Sequence, residues 1–173
     1  MIYSKFWKQE FRKVATKIWL CHKATVLFDC DKTRHNLSKW ILFSAIMVRK
    51  IEEAEKRDDK EVKEAQQELP EVYGDIELHP IIYKQTILVY ARENVSEDTH
   101  FGLHHLNEME VLISTIANKI IHSKDWILWN NSKNHKVKGF ATSSENGNTQ
   151  YLISVEDWIR VLWSCRQFYH EDY

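Results

Sequence analysis

Apolar residues recur along the N-terminal part of the chain at intervals of three and four, the spacing of helices that bury one face. The first such stripe predicts a helix from Lys5 to Phe28. A second stripe begins after the DCDKT break, where Thr33 is placed to cap the new helix. Its predicted buried face carries Leu37, Trp40, Ile41, Ser44, Val48 and Ile51.

The continuation of the second helix, EEAEKRDDKEVKEAQQEL, carries alternating charges of both signs among good helix formers. This pattern predicts a solvated helical extension, which Pro70 and Gly74 end. In residues 76–92 the apolar residues come in clumps that fit a buried strand or a short helix equally well. The sequence therefore does not decide between a strand and a helix for this segment.

A third helix is predicted from Gly102 to Ser123, and the chain closes with a hairpin and a helix. The stripe of the third helix is Leu106, Met109, Ile113, Ile116 and Ile120. Two short β-prone runs flank Asn146-Gly147, a dipeptide typical of tight hairpins. Ser154, with Asp157 three residues on, begins the closing helix. The predicted fold class is a mainly α helical bundle with a small C-terminal β-hairpin and closing helix, and residues 1–173 form a single domain.

Charge and composition exclude few functions. The formal net charge is −1, so any nucleic-acid binding would need a local basic patch. The chain has no signal-like leader and no run long enough to span a membrane, which predicts a cytoplasmic protein without a membrane partner. Three cysteines without a CxxC spacing predict reduced, buried thiols at Cys21, Cys30 and Cys165.

Asn118 and His122 form a polar pair within the apolar third helix. Four residues apart, they point to the same side of a helix and roughly away from its apolar stripe. Because a helix this apolar is expected to be covered on both sides, the pair is predicted to line a cleft or a subunit contact.

The string Ala117-Asn118-Lys119-Ile120-Ile121-His122 resembles the signature of HEPN proteins, a superfamily of α-helical bundles. In that signature an Arg, commonly followed by Asn, precedes a His near the end of a helix. Ala117 stands where the family has its Arg. The resemblance covers this motif and the helix-rich layout. It implies a homodimer in which the motifs of two protomers meet, and a function connected with RNA.

Metal-free RNA cleavage of the HEPN kind needs a group that takes the proton of a ribose 2′-OH and a cation that stabilises the phosphorane. His122 can act as the first group. Ala117 cannot act as the second, and Lys119 points about 200° away from Ala117 on a helix. A cation would have to come from elsewhere in the chain, such as Arg34, Arg49 or Arg92.

Three interpretations of Asn118 and His122 stay open: a structural pair at a helix end, a non-catalytic recognition or dimer site, and an active ribonuclease. The predicted function is a HEPN-like protein that acts by RNA-related recognition or self-association without robust catalysis. The alternatives are a metal-independent endoribonuclease of toxin or defence type and a structural protein-protein interaction domain.

The segment after the motif mixes aromatic, amide and cationic side chains, a combination that can stack and neutralise single-stranded RNA. The predicted substrate-binding residues are Lys119, Lys124, Trp126, Trp129 and Lys133. Packing in a core or an interface is the alternative role for the two tryptophans.

No metal or cofactor is predicted. The histidines of HFGLHH, at positions 100, 104 and 105, lack the Glu of a zinc-binding HExxH motif and have no clear third ligand. No phosphate-cradling glycine motif occurs.

Overall fold

The computed structural model describes residues 3–73, 82–93, 106–123, 127–130, 136–143 and 149–164. Two long helices come first, and the rest of the described chain is built on an antiparallel sheet. The elements are α1 (Tyr3–Leu27), α2 (Asp31–Glu68), the one-turn α3 (Pro70–Tyr73), β1 (Thr86–Glu93), β2 (Asn107–Leu112), α4 (Ile113–His122), β3 (Ile127–Asn130), β4 (Val137–Ser143), β5 (Thr149–Ser154) and α5 (Val155–Ser164).

The helices α1 and α2 form a packed hairpin, which confirms the first two predicted helices. The predicted cap is three residues too late, because Cys30 is the N-cap of α2 and Thr33 lies in its first turn. The Thr33 hydroxyl accepts a hydrogen bond from the Cys30 backbone N–H at 3.2 Å and donates one to the Phe28 carbonyl at 2.8 Å. Thr33 therefore supports the start of the helix from inside it.

The C-terminal half of α2 is helical as predicted, but it is not simply solvated. Glu52, Glu55 and Asp58 are buried. Glu55 accepts a 2.9 Å hydrogen bond from the backbone N–H of Ile82, in the turn before β1. Glu52 lies between Arg49 at 2.6 Å and Lys56 at 2.8 Å. Glu55 can be buried because it accepts a backbone hydrogen bond, and Glu52 because it is paired with two cations. The alternation of charges in the sequence does not reveal these partners.

The prediction of a mainly α bundle is wrong, because five antiparallel strands form one sheet in the order β2-β1-β5-β4-β3. Residues 86–93 of the open segment are a strand. Residues 107–112, predicted as helix, pair with β1 as β2. Met109 and Val111 alternate with Glu108 and Glu110, and this period of two fits a strand as well as the three-four spacing fits a helix.

The C-terminal hairpin and closing helix are confirmed. β4 and β5 pair on either side of residues 144–148, which contain the Asn-Gly dipeptide and lie outside the described residues. The Ser154 hydroxyl accepts hydrogen bonds from the backbone N–H groups of Glu156 at 3.1 Å and Asp157 at 3.3 Å. Ser154 thus caps α5.

The core lies between the helices and one face of the sheet. Trp158 of α5 packs edge-to-face on Phe140 of β4, with ring centres 5.7 Å apart, and donates its indole N–H to the Ser44 hydroxyl of α2 at 2.8 Å. His22 of α1 lies 2.9 Å from the Val137 carbonyl, through Nε2. Among the described helices, none combines the length and the apolar character needed to cross a bilayer.

Candidate functional site

Helix α4 carries the Asn-His pair and crosses the core face of the sheet. It starts where β2 ends, and its first N–H, of Ile113, donates to the Gln85 carbonyl beside β1 at 2.9 Å. Its last turn reaches Tyr151 of β5, since the Lys119 ammonium lies 4.9 Å from the centre of that ring. Because α2 packs against α4 as well, the helix is enclosed from both sides, as expected from its apolar character.

Asn118 and His122 lie in the C-terminal part of α4. Asn118 is half-buried, and the exposed His122 is the last residue of the helix. Ser123 closes the helix by donating its backbone N–H to the Lys119 carbonyl at 2.8 Å. Within the described part of the chain, no hydrogen-bond partner faces the His122 imidazole. A proton acceptor is therefore presented to solvent at this end of the sheet.

Ala117, which occupies the position of the HEPN Arg, is fully buried. A side chain at this position points into the core and away from the surface of His122. Two of the proposed substitute cations are already bound by carboxylates. Arg34 forms a two-pronged pair with Asp29, at 2.6 and 2.7 Å, and Arg49 lies 2.6 Å from Glu52.

A second cluster lies on the edge of the sheet, on the hairpin of β3 and β4, which we call the edge ribbon. Trp129 pairs across the ribbon with Gly139, and a Cβ atom on that glycine would overlap both the Trp129 indole nitrogen and the Ile153 carbonyl. The Trp129 ring therefore lies directly against the glycine backbone. The Lys138 ammonium lies 5.6 Å from the centre of the same ring.

The edge ribbon is locally basic. No Asp or Glu occurs between Asp125 and Glu145, a segment that contains three lysines. Arg34, from the start of α2, donates a 3.3 Å hydrogen bond to the Asn130 side-chain oxygen, but its charge is balanced by Asp29. The positive charge of the edge ribbon therefore comes from its lysines, of which Lys138 contacts the Trp129 ring.

The structure places two of the five predicted substrate-binding residues, Lys119 and Trp129, in separate cation-aromatic pairs. Lys119 pairs with Tyr151 under α4, and Trp129 pairs with Lys138 on the edge ribbon. Lys124, Trp126 and Lys133 lie outside the described residues. The sequence analysis missed Tyr151, Lys138 and the contact of Arg34. The absence of acidic residues from 126 to 144 was a signal that could have identified Lys138.

The remaining predicted chemistry concerns metals and thiols. His100, His104 and His105 lie outside the described residues, and the described ones include no group of three metal-ligating side chains. Cys21 is half-buried, whereas Cys30 is exposed, so the prediction of a buried thiol is wrong for Cys30. The reason is its position as the N-cap of α2, outside the helix hairpin core.

Comparison with known proteins adds no assignment to this geometry: no family model, no curated protein and no solved structure matches the chain.

Proposed function

We propose that this protein recognises single-stranded RNA through the edge ribbon, without robust catalysis. The observation that carries the proposal is the pair of Lys138 and Trp129, an ammonium 5.6 Å from an indole on a ribbon free of carboxylates. The resemblance of Ala117–His122 to the HEPN signature supports RNA as the ligand class. The fold is not the helical bundle of that superfamily, so the resemblance rests on the motif.

The chemistry of the ribbon suits an unpaired strand. An aromatic ring held against backbone offers a stacking platform for a base, and cations beside it neutralise the adjoining phosphates. Trp129 is partly exposed, and its indole ring packs against the backbone of Gly139. Lys138 contacts the Trp129 ring, and Arg34 contacts Asn130, the next residue of β3.

Weak or absent cleavage is proposed because the position that the resemblance assigns to Arg holds Ala117, and two of the three arginines that could replace it are paired with carboxylates. Ala117 is buried, Arg34 and Arg49 are paired with carboxylates, and the Lys119 ammonium lies over Tyr151. An imidazole alone can accept a proton, but it cannot also stabilise the extra charge of a phosphorane.

The test is fluorescence anisotropy with a labelled single-stranded RNA, measured over a series of salt concentrations. We expect binding that weakens steeply with salt, and Lys138→Gln should lower the affinity and reduce the salt slope by about one counterion. Trp129→Leu should weaken binding at all salt concentrations because it removes the stacking ring. Lys60→Gln, on the exposed C-terminal half of α2, is the matched control and should bind like the wild type.

Two results would contradict the proposal. One is a wild-type protein that does not bind single-stranded RNA. The other is equal loss of binding in Lys138→Gln and Lys60→Gln, which would assign any affinity to general charge instead of to the edge ribbon.

A further inference from the structure

The outward face of α2 carries an apolar groove with a volume of about 520 Å³, lined by residues other than those of the edge ribbon. We call it the α2 groove. It is lined by His35, Ser38, Lys39, Trp40, Leu42, Phe43 and Ile46. Phe43 is 45% exposed and Ile46 41% exposed, although both are large apolar residues. Such a patch on an otherwise polar helix face marks a binding surface.

The shape of the α2 groove fits a helix. Its lining residues follow the spacing of three and four along α2 and extend over about 17 Å, or roughly three helical turns. Trp40 and Phe43 pack edge-to-face with ring centres 5.7 Å apart, which fixes one wall. Trp40 and Leu42 are half-buried beneath the more exposed Phe43 and Ile46, so the groove is recessed. A recess accepts the anchor side chains of an amphipathic helix better than it accepts a flat lipid surface.

The charge around the α2 groove selects an acidic partner. No Asp or Glu occurs in α2 between Asp31 and Glu52. On the rest of α2, Lys50, Lys56, Lys60 and Lys63 each lie within 4.0 Å of a carboxylate of the same helix. Lys39, on the rim, has no such partner in the described part of the chain, because the positions three and four residues away are Asn36, His35, Leu42 and Phe43. A partner carboxylate would complete this pair.

The uneven distribution of charge along the chain supports the same conclusion. Residues 1–51 contain eleven Lys and Arg and three Asp and Glu, a net charge of +8, while residues 52–173 contain thirteen and twenty-two, a net charge of −9. Two copies that met through the same α2 groove would bring together two Lys39 side chains and two segments of net positive charge. Like charges at an interface oppose association, so this groove is a poor self-association surface.

From these observations we infer that the α2 groove binds an amphipathic helix of another protein, with apolar anchors on one face and acidic residues beside them. The anchors fill the recess between Trp40, Phe43 and Ile46, and a carboxylate pairs with Lys39. The site is independent of the RNA-binding proposal, since it uses none of the residues of the edge ribbon.

The experiment uses a labelled synthetic helix of about sixteen residues, long enough to cover the groove, with leucines at helical spacing and glutamates flanking them. A second peptide replaces each glutamate with lysine. Binding to the full chain is measured by fluorescence anisotropy at low and moderate salt. We expect the glutamate peptide to bind and the lysine peptide to bind at least about tenfold more weakly.

Two variants and two controls locate the site. Ile46→Asp should weaken the glutamate peptide by about tenfold or more, since it removes an anchor contact and adds a repelling charge. Lys39→Glu should reverse the order of the two peptides. Lys63→Glu, an exposed change elsewhere on α2, and Lys138→Gln, on the edge ribbon, should bind like the wild type. Because Lys39 and Ile46 are exposed, each variant should keep its melting temperature, which circular dichroism checks.

Any of four outcomes would overturn the inference. Equal binding of the two peptides would show that the acidic residues of the partner do not contribute to affinity. Wild-type affinity of the Ile46→Asp variant would show that the peptide does not bind in the α2 groove. A concentration-dependent dimer that Ile46→Asp abolishes would assign the groove to a second copy of this chain. Binding to phosphatidylglycerol vesicles that is lost in Ile46→Asp, while the two peptides bind alike, would assign it to a lipid surface.

Discussion

Two thiols of this chain lie in opposite environments. The Cys30 sulfur is close to the backbone N–H of Thr33 at the start of α2, and hydrogen bonding from that backbone group, followed by the contact with the Thr33 hydroxyl at 3.6 Å, lowers the pKa of the thiol. Burial raises the pKa of the Cys21 thiol, within the helix hairpin. Because a lower pKa means a larger thiolate fraction at a given pH, the exposed N-cap cysteine should be the more reactive one.

We therefore expect iodoacetamide at neutral pH to alkylate Cys30 faster than Cys21. Mass spectrometry of proteolytic peptides over a time course measures both rates in the same sample. The alkylation rate of Cys30 should also begin to rise at a lower pH than that of Cys21. Thr33→Val, which keeps the backbone N–H but removes the hydroxyl, should slow Cys30 only partly. Faster labelling of Cys21 would contradict the assignment.

His122 and Ala117 belong to the same motif but lie in different surroundings. Since His122 is exposed, His122→Ala should change the free energy of unfolding by no more than about 0.5 kcal/mol. Incubation of the wild type with labelled single-stranded RNA in EDTA should show little cleavage. Robust metal-free cleavage that disappears in His122→Ala would instead establish the ribonuclease alternative.

Introducing an Arg at position 117, where the resembled motif has one, should not create an active site. Ala117→Arg would bury an unpaired guanidinium in the core and should destabilise the protein by about 3–5 kcal/mol. Urea denaturation measures this cost. Lys119→Arg places the same side chain two positions further on, where residue 119 is half-buried over Tyr151, and should be nearly neutral. A stable Ala117→Arg protein would mean that the end of α4 is more open than the structure describes.

At the scale of elements, the close contact between β3 and β4 depends on Gly139, which has no side chain. A Cβ atom at Gly139 would overlap both the Ile153 carbonyl of β5 and the indole of Trp129, so both would have to shift. The ring can turn, but β5 is the central strand and is held by hydrogen bonds on both sides. Gly139 therefore fixes how closely β4 approaches both of its neighbours.

Gly139→Ala should destabilise the protein by about 1–3 kcal/mol, the cost of overpacking a filled site. Urea denaturation measures this change in the free energy of unfolding, and a shift in tryptophan emission would report displacement of Trp129. Ser143→Ala, in the same strand and half-buried, is the control and should change stability little. An unchanged midpoint for Gly139→Ala would show that β4 and β5 are further apart than described.

Elements set by local pattern were predictable, and those set by distant partners were not. The stripes of α1 and α2, the hairpin around Asn146-Gly147 and the cap at Ser154 each depend on neighbours within a few residues. β2 becomes a strand because β1 pairs with it, and Glu55 is buried because it binds the Ile82 N–H. At the site, the Asn-His spacing was readable, but the Lys119 and Lys138 ring contacts required the register of the sheet.

At the scale of the whole molecule, the helices cover one face of the sheet and enclose α4. A homodimer with α4 at its interface remains a prediction, and the enclosure limits any such contact to the last turn, where His122 is exposed. We expect light scattering to give a mass twice 20.7 kDa. His122→Glu should shift that mass toward the monomer, since a two-fold contact would oppose like charges. A monomer of 20.7 kDa for the wild type would exclude a site composed of two protomers.

The position of β5 in the sheet has a consequence for how the chain reaches its native state. β1 with β2, and β4 with β3, are two hairpins that the sheet order joins only through β5. Tyr90 meets Leu152 about sixty residues later in the chain, a long-range contact of the kind that slows folding. During synthesis, the two hairpins can therefore join into one sheet only after β5 has emerged. Removal of the chain from Thr149 onward would split the sheet in two instead of shortening it.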